Sequence, residues 1–376
     1  MRVAFYAPMK PPDHRVPSGD RRMARALISA LAAGGHDVRV ASRLRAFEGR
    51  GDRSRQRRIE ARGSAEVERL GALYGARRAW RPDVWFTYHL YHKAPDWIGP
   101  TVARRLGIPY VIAEASHAAK QADGPWSRGF QAAREAIAGA DAVLAMTALD
   151  RAGLARIVPR RRLIPLPPFL DPAPFGAARG GRGRIARRHG LDPAQPWLLA
   201  VAMMRPGAKL ESYRRLGAAL ARVMDRPWRL VVVGDGTAAV DCRAALERLG
   251  PRHVAFLGAL PPAVLPAYYA AADIFVWPGI GEAYGMAYLE AQAAGCPVIA
   301  GDEPGVRAVV RDGRSGLLVA AQDDAAFAGA VRRLLDEPAL RTSLGARARA
   351  WVAGRHGPAR AARALERAFR IAGLAP

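Results

Sequence analysis

Short runs rich in β-branched and aromatic residues alternate with longer stretches of helical periodicity from residue 2 to residue 320. Apolar runs of that length suit strands covered on both faces, and a helical stretch between two such runs is what a parallel crossover requires, so the alternation predicts an α/β architecture with parallel sheets. In the first half, strands are expected near 2–7, 37–42, 83–89, 109–115, 141–147 and 162–166. The clearest helix there is 19–33, where Met23, Ala26, Leu27, Ala30 and Leu31 recur at helical spacing. A Pro-rich segment from Pro165 to Pro174, followed by the Gly/Arg-rich 176–184, interrupts the pattern and reads as a linker.

The alternation then restarts, with strands near 197–203, 229–233, 254–257, 274–277, 297–300 and 317–320 and helices near 209–224, 238–249, 263–272, 285–294 and 324–335. Two doubly wound, Rossmann-like domains in series account for it. The expected division is 1–170, a linker at 171–184, 185–357, and a segment 358–376 whose helix, about 358–372, has no following strand and is expected to pack back on the first domain. Doubly wound sheets bind ligands at the carboxyl ends of their strands, and two in tandem are expected to form a cleft, so the chemistry is sought there.

The chain of 376 residues is half apolar and about a quarter charged, enough to bury two cores, which excludes disorder for most of it. No window approaches ~18 uninterrupted apolar residues, and Met-Arg-Val-Ala-Phe-Tyr-Ala-Pro is too short an apolar start for a secretory signal, so a cytoplasmic protein is expected. Cys242 and Cys296 have neither metal-ligand spacing nor a disulfide framework and read as core residues. The formal net charge of +25, nearly all from Arg, points to an anionic partner: a membrane face, a phosphorylated substrate or nucleic acid. Residues 39–62 concentrate it, with nine Arg against Glu48, Asp52 and Glu60. That stretch reads either as a mobile, solvated loop or as a peripheral attachment to an anionic membrane surface. Nucleic-acid binding is the reading from a different class, and no helix-turn-helix, zinc finger or aromatic-interleaved basic strand supports it.

The richest stretch is Gly281-Glu282-Ala283-Tyr284-Gly285-Met286-Ala287-Tyr288-Leu289-Glu290-Ala291, which follows the strand Ile274 to Trp277 and leads into a helix near Gly285. Free amides and the helix dipole at such a start form an anion site, and Gly285 lets a phosphate approach the main chain. Glu282 and Glu290 are then separated along the axis by up to roughly 10 Å, enough to hold two parts of one extended ligand. An incidental Glu on a solvated helix is the plainer alternative, although Met286, Leu289, Ala293 and Ala294 flank Glu290 with apolar residues. Arg205 and Lys209 lie just beyond a strand end around Pro206-Gly207, where two cations can converge on a diphosphate; by composition alone they read equally as surface cations. Gly19 begins a helix after a long loop from Pro8-Met9-Lys10, with Ser18 either as its N-cap or as part of an anion site.

Glu282-x7-Glu290 with its internal glycine, followed by Ala291-x-Ala293-Ala294-Gly295-Cys296-Pro297-Val298-Ile299-Ala300, resembles the donor-binding signature of the group 1 glycosyltransferases, the retaining, metal-independent enzymes of glycosyltransferase family 4 with the GT-B fold. Other marks follow in the family's order: Arg205 and Lys209, Val231-Val232-Val233-Gly234-Asp235-Gly236, Val254-Ala255-Phe256-Leu257-Gly258 and Tyr268-Tyr269-Ala270-Ala271-Ala272-Asp273. The resemblance implies transfer of a sugar from a nucleoside-diphosphate sugar to a hydroxyl acceptor, a glycan, lipid-linked or polysaccharide intermediate, with no metal and no further cofactor, the domain 1–170 on the acceptor side and the domain 185–357 binding the nucleotide sugar. It implies that Arg205 and Lys209 hold the diphosphate, that Glu282 faces the sugar, that Glu290 accepts from the ribose, and that Val254, Phe256, Tyr284, Gly285, Met286 and Gly19 complete donor binding. It assigns His117, after the strand 109–115, a place near the donor sugar; by position alone Glu114 is expected to orient His117 or touch the acceptor, and His89, at the end of an earlier strand, and His92 are lesser candidates to reach the cleft. Two departures stand out: the family more often spaces the two cations one residue wider, and it usually has two glycines where this chain has Ser18-Gly19. A GT-B-like sugar epimerase is the alternative enzyme.

Overall fold

The computed structural model describes residues 1–16, 18–77, 80–178 and 180–374. They form two compact units: Met1–Pro168 together with the segment from Pro358 on, and Phe169–Gly357. Each is built on one six-stranded, wholly parallel sheet.

In unit 1 the strands are β1 (Arg2–Tyr6), β2 (Asp37–Ser42), β3 (Val84–Leu90), β4 (Tyr110–Ala115), β5 (Ala142–Ala145) and β6 (Leu163–Pro165), in the order β2-β1-β3-β4-β5-β6. β4 and β5 are buried along their whole length, as strands covered on both faces must be. Helix Gly19–Ala33 starts where Ser18 Oγ accepts from Arg21 N (3.2 Å) and buries Met23, Leu27, Ala30 and Leu31. Helix Pro358–Ile371 belongs to this unit and inserts Phe369 edge-on against Phe86 (ring centroids 6.4 Å apart) and His36 (5.2 Å). Burying such a ring stabilises by about 1.5–3 kcal/mol.

The Arg-rich stretch is not a mobile loop. Its first residues finish β2, and its last begin the helix Arg53–Gly75, where Asp52 caps the Arg55 N–H (3.0 Å). Between them, buried Glu48 accepts from the N–H groups of Arg50 (2.8 Å), Gly51 (2.7 Å) and Asp52 (3.2 Å) and from the Trp126 indole (3.2 Å). Gln56, Ile59, Gly63, Val67, Leu70 and Tyr74 form the helix's buried face at helical spacing. The dense Arg between them conceals that period.

Unit 2 contains β7 (Trp197–Val201), β8 (Arg229–Val233), β9 (Val254–Phe256), β10 (Ile274–Trp277), β11 (Val298–Gly301) and β12 (Gly316–Val319), in the order β12-β11-β10-β7-β8-β9. The segment read as a linker contains the helix Ala173–Ala177, entered through Pro172, and the start of the helix Arg182–His189. Proline at a helix start pre-sets φ and forfeits only an N–H that has no partner there, so prolines that read as breakers were initiators. Pro338 likewise opens a helix, Pro338–Arg355, which lies beyond the helices expected from the sequence.

Both sheets reverse direction once. In unit 1 the first strand, β1, has β2 on one side and β3 on the other; in unit 2 the first strand, β7, lies between β8 and β10. Loops leaving the carboxyl ends of the two strands at such a reversal part to opposite faces and open a crevice, the customary ligand site of open α/β sheets.

Candidate active site

At the reversal in unit 2, the loop after β7 carries Arg205 and passes through Gly207 (φ +79°) into helix Ala208–Leu220, whose second residue is Lys209. The loop after β10 contains Gly279, Gly281 and Gly285, all at positive φ, and leads into helix Met286–Ala294. Ser212 ties the two loops, since Ile280 N donates to its Oγ (3.0 Å). The Lys209 ammonium then makes an ion pair with the Glu282 carboxylate, and it stands 5.5 Å from the centroid of the Trp277 ring. Lys209 keeps about a quarter of its side-chain surface exposed and Glu282 about a fifth.

Backbone rather than side chains walls this place. A Cβ on Gly305 would overlap the Ala283 carbonyl, and one on Gly285 would enter the Tyr288 ring. Gly234 and Gly236, at φ +154° and +157°, lie so close to the carbonyls of Ala202 and Met204 that neither position admits a side chain. Met204 N donates to Asp235 O (3.0 Å), and Ala238 N donates to Met204 O (3.0 Å). No side chain caps helix 286–294; Gly285 occupies its N-cap. Main-chain amides, a helix start and cations gathered at one sheet end suit an anionic ligand. Arg205, half-buried in the same loop, accepts from Leu210 N through its carbonyl (3.1 Å), while its guanidinium makes no hydrogen bond or ion pair with the described residues.

Other residues singled out from the sequence lie in the same loop, in the helix that follows it or on the sheet edge. Glu290 is buried and accepts from the Tyr269 hydroxyl (2.7 Å), while Tyr284 and Met286 are buried on either side of Gly285. Val254 and Phe256 lie in β9, the edge strand beyond β8, where the Arg243 guanidinium covers the Phe256 ring at 4.5 Å.

In unit 1 the helix start at Gly19 falls as expected, and Glu114 departs from expectation. Gly19 is the first residue of its helix, with Ser18 as the N-cap. His117 stacks on Phe130 (5.2 Å), and burial together with nearby Arg134 and Arg156 lowers its pKa. Glu114 faces a different histidine: its Oε1 is 3.7 Å from Nδ1 of His89, which hydrogen-bonds Asp20 Oδ1 at 3.0 Å. His89 and Glu114 both adopt the left-handed backbone conformation, at φ +61° and +58°. Burial opposes a charge on His89, but Glu114 and Asp20 outweigh it and raise its pKa to about 9. Burial also raises the pKa of Glu114. The one sequence clue to this group was the position of His89 at a strand end.

Two doubly wound parallel sheets in one chain, with cations and glycine-walled loops at a strand-order reversal, define the GT-B architecture of nucleotide-sugar transferases. Solved structures agree: the chain is similar to sucrose-phosphate synthase from Thermosynechococcus elongatus (TM-score 0.78, 20% identity, 98% of each chain covered) and to the Anabaena protein HepE in complex with UDP-glucose (TM-score 0.73, 15% identity, the whole of each chain covered). Residues 195–337 match the family model for glycosyl transferases group 1, and residues 18–168 match that for the glycosyl transferase 4-like domain. The chain belongs to the group 1 glycosyltransferases. It is 32% identical over 285 residues to a D-inositol 3-phosphate glycosyltransferase of Acidothermus cellulolyticus, over 71% of this chain and 63% of that protein. It is also 32% identical over 270 residues to a GDP-mannose-dependent alpha-(1-6)-phosphatidylinositol monomannoside mannosyltransferase of Mycolicibacterium smegmatis, over 69% of this chain and 68% of that protein. None of the described helices is long and apolar enough to cross a membrane.

Proposed function

We propose that the protein is a retaining, metal-independent glycosyltransferase that moves a sugar from a nucleoside-diphosphate sugar to an acceptor hydroxyl. The observation that carries this reading is the meeting of Lys209 with Glu282 at the reversal of the unit 2 sheet, beside a helix start capped by glycine. In this reading the donor diphosphate sits against the amides at Gly285 and draws Lys209 and Arg205 onto its oxygens, and Glu282 accepts from hydroxyls of the sugar. Glu290 serves the nucleotide ribose together with Tyr269, with Tyr284 and Met286 shaping the loop and Val254 and Phe256 bordering the base. Gly19 and His117 are the donor-side groups of unit 1.

The reaction breaks the bond between the anomeric carbon and the diphosphate oxygen and forms a bond from that carbon to the acceptor oxygen on the same face. The acceptor's proton passes to the departing phosphate oxygen, leaving a nucleoside diphosphate and a glycoside of unchanged anomeric configuration. Lys209 and Arg205 offset the charge that grows on the leaving group, the term that most often dominates such catalysis. Relatives whose names specify a cyclic polyol phosphate and a phosphatidylinositol mannoside support an acceptor that is a polyol, glycan or lipid-linked glycan.

For a lipid-linked acceptor, the exposed Arg53, Arg55, Arg57, Arg58 and Arg62 of helix 53–75 would attract an anionic membrane surface. A cavity of about 540 Å³ lined by Arg43, Arg62, Arg69 and Glu66 opens beside that helix.

Two measurements test the reading. A thermal-shift series with UDP, GDP and ADP is expected to show one nucleoside diphosphate raising the unfolding midpoint, because a ligand bound only by the folded state stabilises it. NMR of the product formed from an α-linked donor is expected to show an α-glycoside. A β-product would overturn retention, and indifference to all three nucleotides would overturn the donor site.

A further inference from the structure

The crevice at the reversal of the unit 1 sheet lies between the loop after β1 and the end of β3, and it holds a second charged pair, Asp20 with His89. Asp20 is the second residue of helix 19–33, and His89 is the penultimate residue of β3. His89 Nδ1 donates to Asp20 Oδ1 at 3.0 Å, which fixes the ring's orientation. His89 Nε2 has no partner among the described residues and is not one of their buried orphan atoms, so it opens to solvent. The Asp20 carboxylate also accepts from its own backbone N–H and, with about four acceptor positions, keeps further accepting capacity. The two side chains remain 20% and 26% exposed, whereas Glu114 behind them is 8% exposed. A fixed N–H donor therefore stands beside a fixed carboxylate acceptor at a crevice mouth.

Several charged or titratable groups face the ring. Asp20 comes from helix 19–33, Glu114 from β4 and Asp150 from helix Ala148–Leu154, while Tyr88 and Tyr91 flank it along the chain and Lys10 acts on Asp20 from the loop after β1. Tyr88 hydrogen-bonds Glu114, and Ser116 and Thr147 hold Asp150 (2.6 Å each). Carboxyl groups packed around an imidazole present paired acceptors and donors, which suit a ligand rich in hydroxyls. The carboxylates keep the imidazole protonated at neutral pH, so it donates from both nitrogens and cannot serve as a base. Holding His89 and Glu114 at positive φ costs roughly 1–2 kcal/mol each. A cost of that kind is retained where the surrounding structure over-determines the geometry, as at ligand sites.

We propose that Asp20 and His89 form the acceptor-recognition site of unit 1 and read a vicinal diol, with Asp20 accepting from one hydroxyl and His89 Nε2 donating to the oxygen of its neighbour. The proposal deepens the glycosyltransferase reading and rests on it for the word acceptor.

Saturation-transfer NMR on the full chain, with cis-1,2-cyclohexanediol as the diol probe and cis-1,3-cyclohexanediol, which has no vicinal diol, as the control, tests it. The expected result is saturation transfer to the diol probe at least threefold stronger than to the control, falling at least threefold in Asp20→Asn and in His89→Gln. In the wild type the signal holds at neutral pH and falls with a midpoint near pH 9, and in Asp20→Asn the residual signal falls at a lower pH, because the imidazolium has lost one carboxylate. A role confined to folding would not move that midpoint. The thermal unfolding midpoint of each variant checks its fold, and Asp20→Asn, at a partly exposed helix start, tests the site if His89→Gln fails to fold. Equal transfer to probe and control, no transfer in the wild type at 50 mM probe (about the weakest affinity of interest), or wild-type transfer in both variants would overturn the proposal. The nucleotide series above reads the donor site separately: a nucleoside diphosphate that stabilises a chain blind to the diol sinks only this inference, and the reverse result sinks only the donor reading.

Discussion

The two units place oppositely charged side chains at the same topological position and support them in opposite ways. In unit 2 the Lys209–Glu282 pair hangs on loops whose positive-φ positions are glycines, packed main chain against main chain. In unit 1 the Asp20–His89 pair is held by side chains, with Glu114 behind it and two non-glycine residues forced into the left-handed region. Glycine loops bring amide groups close to a ligand and suit a phosphate. A network of side chains presents a fixed pattern of donors and acceptors and suits hydroxyls. The same sheet reversal can thus serve two ligand chemistries, decided by whether backbone or side chains reach the crevice.

The largest expected effect tests the unit 2 half of this contrast. Lys209→Ala should lower kcat by about 10²–10³-fold, the usual loss when one group stabilising a developing oxyanion is removed, and weaken nucleoside-diphosphate stabilisation in the thermal shift. Unchanged turnover would place the leaving group elsewhere. Next comes pH. The folded-state pKa of His89, raised to about 9 from an ordinary value near 6.5, contributes stability that is complete below pH 6.5 and is lost as pH rises through 9. That contribution is at most about 3 kcal/mol. Glu114, raised by burial, acts with the same sign as pH rises above its ordinary value. Denaturant unfolding of the wild type and of His89→Gln at pH 6.5 and 9.5 should therefore converge at the higher pH; a constant gap would mean that the ring's charge does not matter.

Gly234→Ala should destabilise by about 1–3 kcal/mol, since its Cβ meets the Ala202 carbonyl and the loop must shift. Urea unfolding measures this, and a neutral result would show that the unit 2 loops are less tightly fixed than the contrast holds. The smallest effect concerns the Arg face of helix 53–75. Co-sedimentation with vesicles containing anionic lipid should exceed that with neutral vesicles and weaken in salt, with each Arg near the surface worth about 1 kcal/mol. Vesicle binding indifferent to both would remove the membrane from the account.

Much of the fold could be read from local pattern. Strands buried on both faces read as apolar runs, as β5 does throughout and β4 does up to Glu114. Helix 53–75 was obscured because its buried face includes Gln56 and Gly63 and its outer face is crowded with Arg. Pro172 was read for what it breaks rather than for what it begins. In the site, Lys209 and Glu282 were marked by their positions after strands, whereas Glu114 was assigned to His117, three residues away, and instead faces His89 on the adjacent strand.

The amino-acid order by itself determined the alternation of strands and helices, hence the parallel sheets, and placed the charged residues at strand ends, because periodicity and strand-end position are properties of neighbouring residues. Which charges meet was decided only by the tertiary structure. Lys209 and Glu282 are 73 residues apart, and Asp20 and His89 are 69 apart. Each pair meets because strand order brings β7 beside β10 and β1 beside β3. Strand order depends on how helices pack across both faces of a finished sheet, and no local stretch of sequence encodes it.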